Sequence, residues 1–386
     1  MKAFREHVSE RLSRIEEQGL RRHARDVAGP QDGWLWVDGR RVLCLCSNNY
    51  LGLARHPALL AAVREALELD GFGAAASRQV SGNMRLHRQA ELALAHFLEQ
   101  EAGVLFASGY ACNTGVLQAL ADRGDVIFSD RLNHASLIDG ARLSRAEVVV
   151  YEHADIDDLR AKLHAHRHRG HGALVVTESL FSMDGDVPPL RPIAELARAF
   201  DAGLVVDEAH ALGVLGPMGR GMCAEVGVVP DVTIATLGKA FGGQGAFALG
   251  TLEVVDLIRN RARSYVFSTA PSPAMAAAAL AGLRLIREAD GLRRALRQHA
   301  ARLREGLHAL DYRVLSGDGP IIPVVIGTPE ATMALSSALF ERGLFVHGIR
   351  PPTVPAGTGR LRIVPIATHT TDDIDHALSV FAEVPR

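Results

Sequence analysis

Short apolar runs alternate with amphipathic segments from residue 104 to residue 237. The runs predict buried strands, and the segments between them carry apolar positions at a helical spacing. Strands that alternate with helices in this way indicate an α/β fold with a mostly parallel central sheet covered by helices. The predicted strands are Val104-Leu105-Phe106, Val126-Ile127-Phe128, Val148-Val149-Val150, Ala173-Leu174-Val175-Val176, Leu204-Val205-Val206 and Ile234-Ala235-Thr236-Leu237.

The two ends of the chain show different patterns. Near the N-terminus, apolar residues recur at a helical spacing from Phe4 to Ile15, and Asp38-Gly39 then separates two apolar runs as in a β-hairpin. The segment from Pro273 to about Leu310 predicts one long, arginine-rich helix, which short strands and two amphipathic helices follow. We therefore expect an N-terminal helix and hairpin segment (1–47), a large domain (48–272) and a small C-terminal α+β domain (273–386).

Composition narrows the class of protein without identifying it. Hydrophobic residues make up 48% of the 386 residues, and the formal net charge is −2. This balance gives no reason to expect nucleic acid or an anionic membrane as a partner. Four scattered cysteines suit a reducing compartment, the charged N-terminus lacks an apolar signal core, and the apolar run at 275–283 is too short to span a bilayer. We expect a cytoplasmic protein with no metal centre.

A carboxylate and an amine follow two of the predicted strands. Asp207 ends the run Leu204-Val205-Val206, and Lys239 follows the run that begins at Ile234. The carboxyl ends of parallel strands meet at one edge of a sheet, where open α/β folds bind ligands. The sequence therefore predicts a binding site that contains Asp207 and Lys239.

Lys239 is unusual in this chain. Among 42 lysines and arginines, only Lys2, Lys162 and Lys239 are lysines, and Lys239 lies among Gly, Ala and Phe. A desolvated lysine can lose its proton and form a Schiff base, whereas arginine stays charged. Either Lys239 faces water on a glycine-rich loop or it is a reactive amine; its context favours the second.

Asp207-Glu208-Ala209-His210 has two possible interpretations. The same four letters occur in nucleotide-hydrolysing helicases, but that function needs a G-x-x-x-x-G-K-[ST] loop. The residue five before Lys239 is Ile234 and the residue after it is Ala240, so the loop is missing. The other interpretation is pyridoxal phosphate (PLP) chemistry, in which an acidic partner holds the proton on the ring nitrogen. Ser108-Gly109-Tyr110, between a strand and a helix, adds a candidate phosphate-binding turn.

With these residues in place, the chain resembles the α-oxoamine synthases, PLP enzymes of fold type I. The resemblance extends from Leu20-Arg21 to His369-Thr370, and it departs from the usual family pattern at Ala74-Ala75-Ala76, where glycine is more frequent. The stretches that carry it are Ser47-Asn48-Asn49-Tyr50-Leu51-Gly52, Ser77-Arg78, Ser108-Gly109-Tyr110-Ala111-Cys112-Asn113, Asn133-His134-Ala135-Ser136, Phe181-Ser182-Met183-Asp184-Gly185-Asp186, Asp207-Glu208-Ala209-His210, Thr236-Leu237-Gly238-Lys239 and Ile349-Arg350-Pro351-Pro352-Thr353-Val354-Pro355.

The resemblance implies a role for each matching residue of the cofactor site. Lys239 would bind PLP covalently, Asp207 would pair with the ring nitrogen, and His134 would stack on the ring and assist catalysis as a proton donor. The other implied cofactor contacts are Ser182 and His210 at the phenolic oxygen, Gly109, Tyr110 and Thr236 at the phosphate, and Ser268 and Thr269 at the phosphate of the other subunit of a homodimer.

The resemblance also implies two groups of substrate-binding residues. Asn48 and Arg362 would hold the carboxylate of an amino acid, with His134 beside it. Arg21, Arg350 and Thr353 would face an acyl substrate.

The implied reaction is the decarboxylative condensation of L-alanine with a pimeloyl thioester, a step of biotin biosynthesis. The carrier of the acyl group is either coenzyme A or an acyl carrier protein. One alternative is a sister enzyme that uses glycine or serine with another acyl-CoA. An alternative of another class is a PLP-binding subunit without activity, although the retained Lys239, Asp207 and His134 argue against it.

Overall fold

The computed structural model describes residues 2–317 and 319–385, except for the side chain of Lys2. The strands in these ranges are β1 (Val27–Ala28), β2 (Trp34–Val37), β3 (Arg40–Cys44), β4 (Ala102–Phe106), β5 (Val126–Asp130), β6 (Glu147–Tyr151), β7 (Ala173–Glu178), β8 (Gly203–Asp207), β9 (Val232–Thr236), β10 (Ala246–Gly250), β11 (Ile322–Gly327), β12 (Leu344–Phe345), β13 (His347–Ile349) and β14 (Gly359–Ile363).

Helices alternate with most of these strands. They are α1 (Lys2–Glu17), α2 (Pro57–Asp70), α3 (Arg85–Phe97), α4 (Gly109–Leu120), α5 (Ala135–Ser144), α6 (Ile156–His166), α7 (Leu190–Ala199), α8 (Met222–Val226), α9 (Leu252–Arg261), α10 (Arg263–Val266), α11 (Pro273–Arg287), α12 (Asp290–Ala309), α13 (Pro329–Glu341) and α14 (Thr371–Glu383). Short 3-10 helices lie at Leu53–Arg55, Arg167–Arg169 and Pro217–Gly219.

The chain divides into two compact units. The first comprises residues 1–47, 183–185 and 295–386, and the second comprises residues 48–182 and 186–294. The three-part division expected from the sequence stays a prediction. None of the helices in the described residues is long and apolar enough to cross a membrane.

A seven-stranded sheet forms the centre of the second unit. Its strand order is β4-β10-β9-β8-β7-β5-β6, and β10 runs antiparallel to both of its neighbours. The pairs from β9 to β6 are all parallel. The expected mostly parallel α/β sheet is confirmed.

Apolar side chains cover both faces of this sheet. Along β8, Val205 packs into one apolar cluster, while Leu204 and Val206 pack into another. Alternate residues of a strand point to opposite faces, so a continuous apolar run is what a strand covered on both sides requires. The first cluster includes residues of α4 and α9, and the second includes residues of α6 and α7.

The first unit contains the predicted hairpin. β2 and β3 pair antiparallel with Val37 opposite Arg40. Asp38 and Gly39 both have a positive φ, 50° and 77°. Two such residues form the turn that matches the twist of a hairpin, and Asp-Gly is a favoured pair for it. This unit also holds a sheet of order β11-β14-β13, and β12 extends the hairpin sheet.

The predicted helices near the N-terminus and after Pro273 differ from the structure in one respect each. The predicted helix near the N-terminus is confirmed, but its apolar stripe is exposed, with Phe4 71% accessible. The single helix expected from Pro273 to Leu310 is wrong, because α11 ends at Arg287 and α12 begins at Asp290. The N–H groups of Glu288 and Ala289 bond to carbonyls three residues back, which ends the α-helical ladder, and the carboxylate of Asp290 pairs with Arg293 one turn later.

Candidate active site

Polar side chains gather where the parallel strands of the second unit end. Glu178 is the last residue of β7, Asp207 of β8 and Thr236 of β9, and Glu178 lies opposite Asp207 in the register. Lys239 follows three residues after β9. A cavity of about 260 Å³ opens at this edge, lined by Asn48, Ser108, Gly109, Tyr110, Asn113, His134, Ser136, Glu178, Asp207, Ala209, His210, Thr236, Gly238, Lys239, Gln244 and Gly245.

Asp207 is buried and held by donors. Only 4% of the residue is accessible. Asn113 on α4 donates from Nδ2 to its Oδ2 at 2.8 Å, and the backbone N–H of Ala209 donates to its Oδ1 at 2.9 Å. These two donors fix the orientation of the Asp207 side chain. The cavity therefore contains an oriented, buried carboxylate at the end of β8.

His134 lies at the start of α5. Its Nδ1 lies 2.7 Å from Ser136 Oγ and accepts from the N–H of Ser136 at 3.2 Å, which fixes the ring as the cap of the helix. Burial lowers the pKa of His134; the charge of Asp207 opposes that effect and the charge of Lys239 reinforces it. A neutral imidazole next to a carboxylate and an amine can donate or accept a proton near neutral pH.

Glu178 was not found from the sequence. It is 2% accessible, and its Oε1 accepts from the backbone N–H of His134 at 2.6 Å. Burial raises the pKa of Glu178 well above its usual range, and the charge of Asp207 adds to the shift. The sequence signal is its position: Glu178 ends an apolar strand, as Asp207 does.

One end of the cavity suits an anion. Ser108 caps α4, with its Oγ accepting from the N–H of Ala111 at 3.1 Å. The first N–H groups of a helix point outward and carry partial positive charge, which binds phosphate. A side chain at Gly109 would put its Cβ only 3.0 Å from Cγ2 of Thr236, so glycine keeps this end open. The hydroxyl of Tyr110 points elsewhere and donates to Asp139 at 2.5 Å.

His210 occupies another side of the cavity. Its Nδ1 lies 2.5 Å from the hydroxyl of Tyr50, so this tyrosine orients the ring. Ser182 is buried after β7, whereas Ser268 is half-buried and Thr269 is exposed. In the described chain these three residues lie outside the cavity lining. Thr269 pairs with Ser77 in a short antiparallel bridge.

The residues assigned to the acyl substrate meet in the first unit. Arg21, Arg350 and Thr353 line one groove of about 740 Å³, together with Arg22, Arg25 and His347. Arg350 donates to the backbone carbonyl of Arg21, and Arg22 Nη2 donates to Thr353 Oγ1 at 3.4 Å. Burial, followed by the charge of Arg350, lowers the pKa of His347. The groove is thus strongly cationic.

The remaining predicted residues are Asn48 and Arg362. Asn48 lines the cavity of the second unit. Arg362 is a buried residue of β14 in the first unit, and its charge acts on Cys46 there. Cys44 is the last residue of β3, and its sulfur lies 3.9 Å from that of Cys46. No group of three or more potential metal ligands occurs within residues 2–317 and 319–385.

The cavity fits pyridoxal phosphate by the chemistry of its lining. A carboxylate suits the protonated ring nitrogen, an amine suits the aldehyde, and an imidazole suits the ring face. The helix start at Ser108 and Gly109, which also lines the cavity, suits the phosphate. The lining therefore supplies each kind of contact that this cofactor requires.

The fold and this site define a class of protein. Residues 40–381 match the family described as Aminotransferase class I and II, so the chain belongs to that family. Among its curated relatives is the 8-amino-7-oxononanoate synthase of Geobacter sulfurreducens, 47% identical over 383 residues that cover 98% of each chain. The enzyme of the same name from Marinobacter nauticus is 45% identical over 386 residues, 99% of this chain and 96% of that one.

Solved structures of differently named enzymes share this fold. Serine palmitoyltransferase of Sphingomonas wittichii has a TM-score of 0.92 and 31% identity over 98% of this chain and 96% of its own. The 8-amino-7-oxononanoate synthase of Francisella tularensis has a TM-score of 0.77 and 28% identity over 89% and 97%. The recognition as an α-oxoamine synthase, the PLP fold type I architecture and the PLP cofactor are confirmed.

Proposed function

We propose that this chain catalyses the PLP-dependent decarboxylative condensation of L-alanine with a pimeloyl thioester, which yields 8-amino-7-oxononanoate for biotin biosynthesis. The observation that carries the chemistry is the single cavity lined by Asp207, His134 and Lys239. The substrate assignment draws on full-length relatives of 41–47% identity that bear this enzyme's name. The substrates are an amino acid and an acyl group bound to coenzyme A or to an acyl carrier protein. We also infer that the enzyme is cytoplasmic.

The bound cofactor would supply an electron sink for the carbanion formed at the α carbon of alanine. Lys239 would be its covalent anchor and the base that takes the α proton. Asp207 would hold the proton on the ring nitrogen, because Asn113 and the Ala209 N–H orient its carboxyl group. His134 would stack on the ring and donate a hydrogen bond to the acyl oxygen as the α carbon adds to the thioester carbonyl. That oxygen re-forms the carbonyl when the C–S bond breaks and the thiol group leaves.

The remaining residues bind and orient. His210, held by Tyr50, and Ser182 act at the phenolic oxygen, and Gly109, Tyr110 and Thr236 act at the phosphate. Asn48 and Arg362 hold the alanine carboxylate. Arg21, Arg350 and Thr353 bind the acyl donor, for which the cationic groove of the first unit provides the charge.

We infer that the enzyme is a homodimer in which Ser268 and Thr269 of one copy complete the phosphate site of the other. The exposed Phe267, 72% accessible, beside these residues supports an interface there. Sedimentation at assay concentration checks this assignment, and an active monomer would exclude it.

A second candidate is a sister synthase that condenses serine or glycine with another acyl-CoA. The observation that favours it is the TM-score of 0.92 to serine palmitoyltransferase. Against it, the identity to that protein is 31%, below the 47% to an 8-amino-7-oxononanoate synthase.

The deciding experiment offers alanine, glycine and serine to the purified enzyme with pimeloyl-CoA, a pimeloyl carrier protein and palmitoyl-CoA, and identifies the products by mass spectrometry. The proposal requires 8-amino-7-oxononanoate from alanine and one pimeloyl thioester, together with carbon dioxide and free thiol. A long-chain product from serine would establish the second candidate. No product from any pair would favour a PLP-binding subunit without activity.

A further inference from the structure

His153 bridges two carboxylates of the second unit and lies outside the lining of the candidate active site. Its Nδ1 lies 2.9 Å from Oδ1 of Asp130, and its Nε2 lies 2.8 Å from Oδ2 of Asp186. Both ring nitrogens must carry a proton to donate to two carboxylates at once, so the ring is an imidazolium. The edge of the ring also packs against Phe181, with centroids 4.4 Å apart at 79°. No role for His153 follows from the sequence pattern.

Asp130 organises the segment that leads to His134. Its side chain is fully buried at the end of β5. Besides His153, it accepts from the backbone N–H of Leu132 at 2.8 Å and of Ala154 at 3.0 Å. Its own carbonyl accepts from the N–H of Asn133, the residue before His134. The position of the His134 segment therefore depends on the carboxylate that His153 holds.

Asp186 organises the segment that carries Ser182. Its carbonyl accepts from the N–H of Phe181 at 3.0 Å, which closes the turn that contains Ser182. Its Oδ1 is buried and has no hydrogen-bond partner among the described residues. The His153 N–H is thus the donor that compensates this carboxylate, and its removal would leave a partly buried charge unpaired, which is strongly unfavourable.

We propose that His153 is a positioning residue of the cofactor site, whose imidazole joins Asp130 to Asp186 and so sets the spacing between the segments that carry His134 and Ser182. It touches neither substrate nor cofactor and acts through these two residues. The proposal rests on the proposed function, because it takes His134 and Ser182 as cofactor contacts. Asp130 and Asp186 are the charged groups whose fields act on the ring.

The protonation of His153 supports the bridge. Burial alone would lower its pKa, but the hydrogen bonds and charges of Asp130 and Asp186 outweigh burial and raise the pKa to about 10. The unfolded chain has a histidine pKa near 6.5. The bridge therefore stabilises the fold fully below about pH 6.5, and the contribution is lost progressively as the pH rises through about 10.

The test compares the full-length wild type with His153→Phe, His153→Gln and a control, Leu159→Ala. Leu159 is buried in the apolar cluster that includes β5 and β6, so its truncation lowers stability without removing the bridge. The first readout is the dissociation constant of pyridoxal phosphate, measured from its absorbance well below every unfolding temperature. The second is urea unfolding of the cofactor-free proteins at several pH values.

We expect His153→Phe to weaken cofactor binding by roughly 10- to 100-fold, the range seen when supporting partners are removed at metal sites. His153→Gln should weaken cofactor binding to an intermediate extent, since its amide nitrogen can replace only one of the two ring nitrogens and its amide oxygen can only accept. Leu159→Ala should bind the cofactor as the wild type does. Without cofactor, the stability gap between wild type and His153→Phe should narrow from pH 6.5 to pH 10. If His153→Phe does not fold, His153→Gln decides.

Three outcomes would overturn the proposal. Unchanged cofactor affinity in the histidine variants would show that the bridge does not position the cofactor site. An equal loss of affinity in Leu159→Ala would show that the loss follows from lower stability alone. A stability gap independent of pH would show that the ring is not an imidazolium. Failure of the wild type itself to bind pyridoxal phosphate is a separate result, which would overturn the proposed function and the positioning role together.

Discussion

Glu178 and Asp207 lie opposite one another at the ends of two neighbouring parallel strands, and both carboxyl groups are buried. Two such groups cannot both ionise cheaply, so their surroundings decide which one keeps its proton. Asn113 and a backbone N–H donate to Asp207. The pKa of Glu178 is raised, first by burial and then by the charge of Asp207. The geometry thus holds the Asp207 carboxyl group between two donors and favours the protonated form of Glu178.

Glu178→Gln tests this division through the pH dependence of stability. The folded state binds a proton at Glu178 more tightly than the unfolded state, so the stabilisation is present below about pH 4.3 and declines as the pH rises towards the folded pKa. Glutamine keeps an acceptor for the His134 N–H and does not titrate. We therefore expect the free energy of unfolding of the variant to rise relative to that of the wild type between pH 5 and pH 8. The rise should be at most about 1.4 kcal/mol per pH unit.

Urea unfolding of the cofactor-free protein measures the difference, with Glu195→Gln on the exposed side of α7 as the matched control. A constant difference between Glu178→Gln and wild type across this pH range would mean that Glu178 is ionised in the folded protein, and the assignment of charges would be wrong.

Lys239 should bind the cofactor covalently, because it is the lysine that lines the cavity, whereas Lys162 pairs with Asp158 on α6. The side chain of Lys2 lies outside the described residues. The purified protein should be yellow, and borohydride should fix the label to the peptide that contains Lys239. Lys239→Arg, which keeps the charge but cannot react, should remain unlabelled. A label on Lys2 or Lys162 would exclude the assignment.

Ala75 has a φ of 57°, in the left-handed region that favours glycine. Ala75 belongs to the stretch where glycine is more frequent in the family. It therefore adopts a backbone conformation that is strained for alanine and not for glycine. Left-handed φ costs an alanine roughly 1–2 kcal/mol, and glycine's extra freedom in the unfolded chain costs about 0.5–1 kcal/mol. We expect Ala75→Gly to leave the free energy of unfolding unchanged or raise it by up to about 1.5 kcal/mol.

Ala76→Gly is the matched control, because Ala76 is the next residue and does not have a positive φ. Its free energy of unfolding should be lower than that of the wild type by about 0.5–1 kcal/mol. Equal losses in the two variants, measured by urea unfolding, would mean that Ala75 bears no strain.

The apolar runs were enough to predict the sheet and the side chains at its edge. Leu204 to Val206 predicted a buried strand, and the position of Asp207 at its end followed from that alone. Asn113 and Asp207 are 94 residues apart in the chain and meet only because α4 packs next to β8, so no local pattern reveals their hydrogen bond. The same holds for His153, whose partners lie 23 and 33 residues away. The break between α11 and α12 does have a local signal, the turn-forming pair Asp290-Gly291, which the prediction of a single helix overlooks.

Arg350 provides the sharpest test of substrate choice. Its guanidinium belongs to the cationic groove of the first unit, where it donates to the carbonyl of Arg21. A pimeloyl group ends in a carboxylate, which needs a cationic partner when it is removed from water. A hydrogen bond to a charged group contributes about 1.5–3 kcal/mol, so Arg350→Ala should raise the KM for the pimeloyl thioester by roughly 10- to 150-fold.

The same variant should bind alanine nearly as the wild type does, because the residues assigned to the amino-acid carboxylate are Asn48 and Arg362. Alanine binding is read from the change in the cofactor's absorbance, independently of the acyl donor. Arg41→Ala is the matched control: Arg41 also lies in the first unit but stacks on Trp34, 4.7 Å from the ring centre. If Arg350→Ala instead loses alanine binding and keeps its KM for the acyl donor, Arg350 belongs to the amino-acid site and its division of labour with Arg362 is reversed.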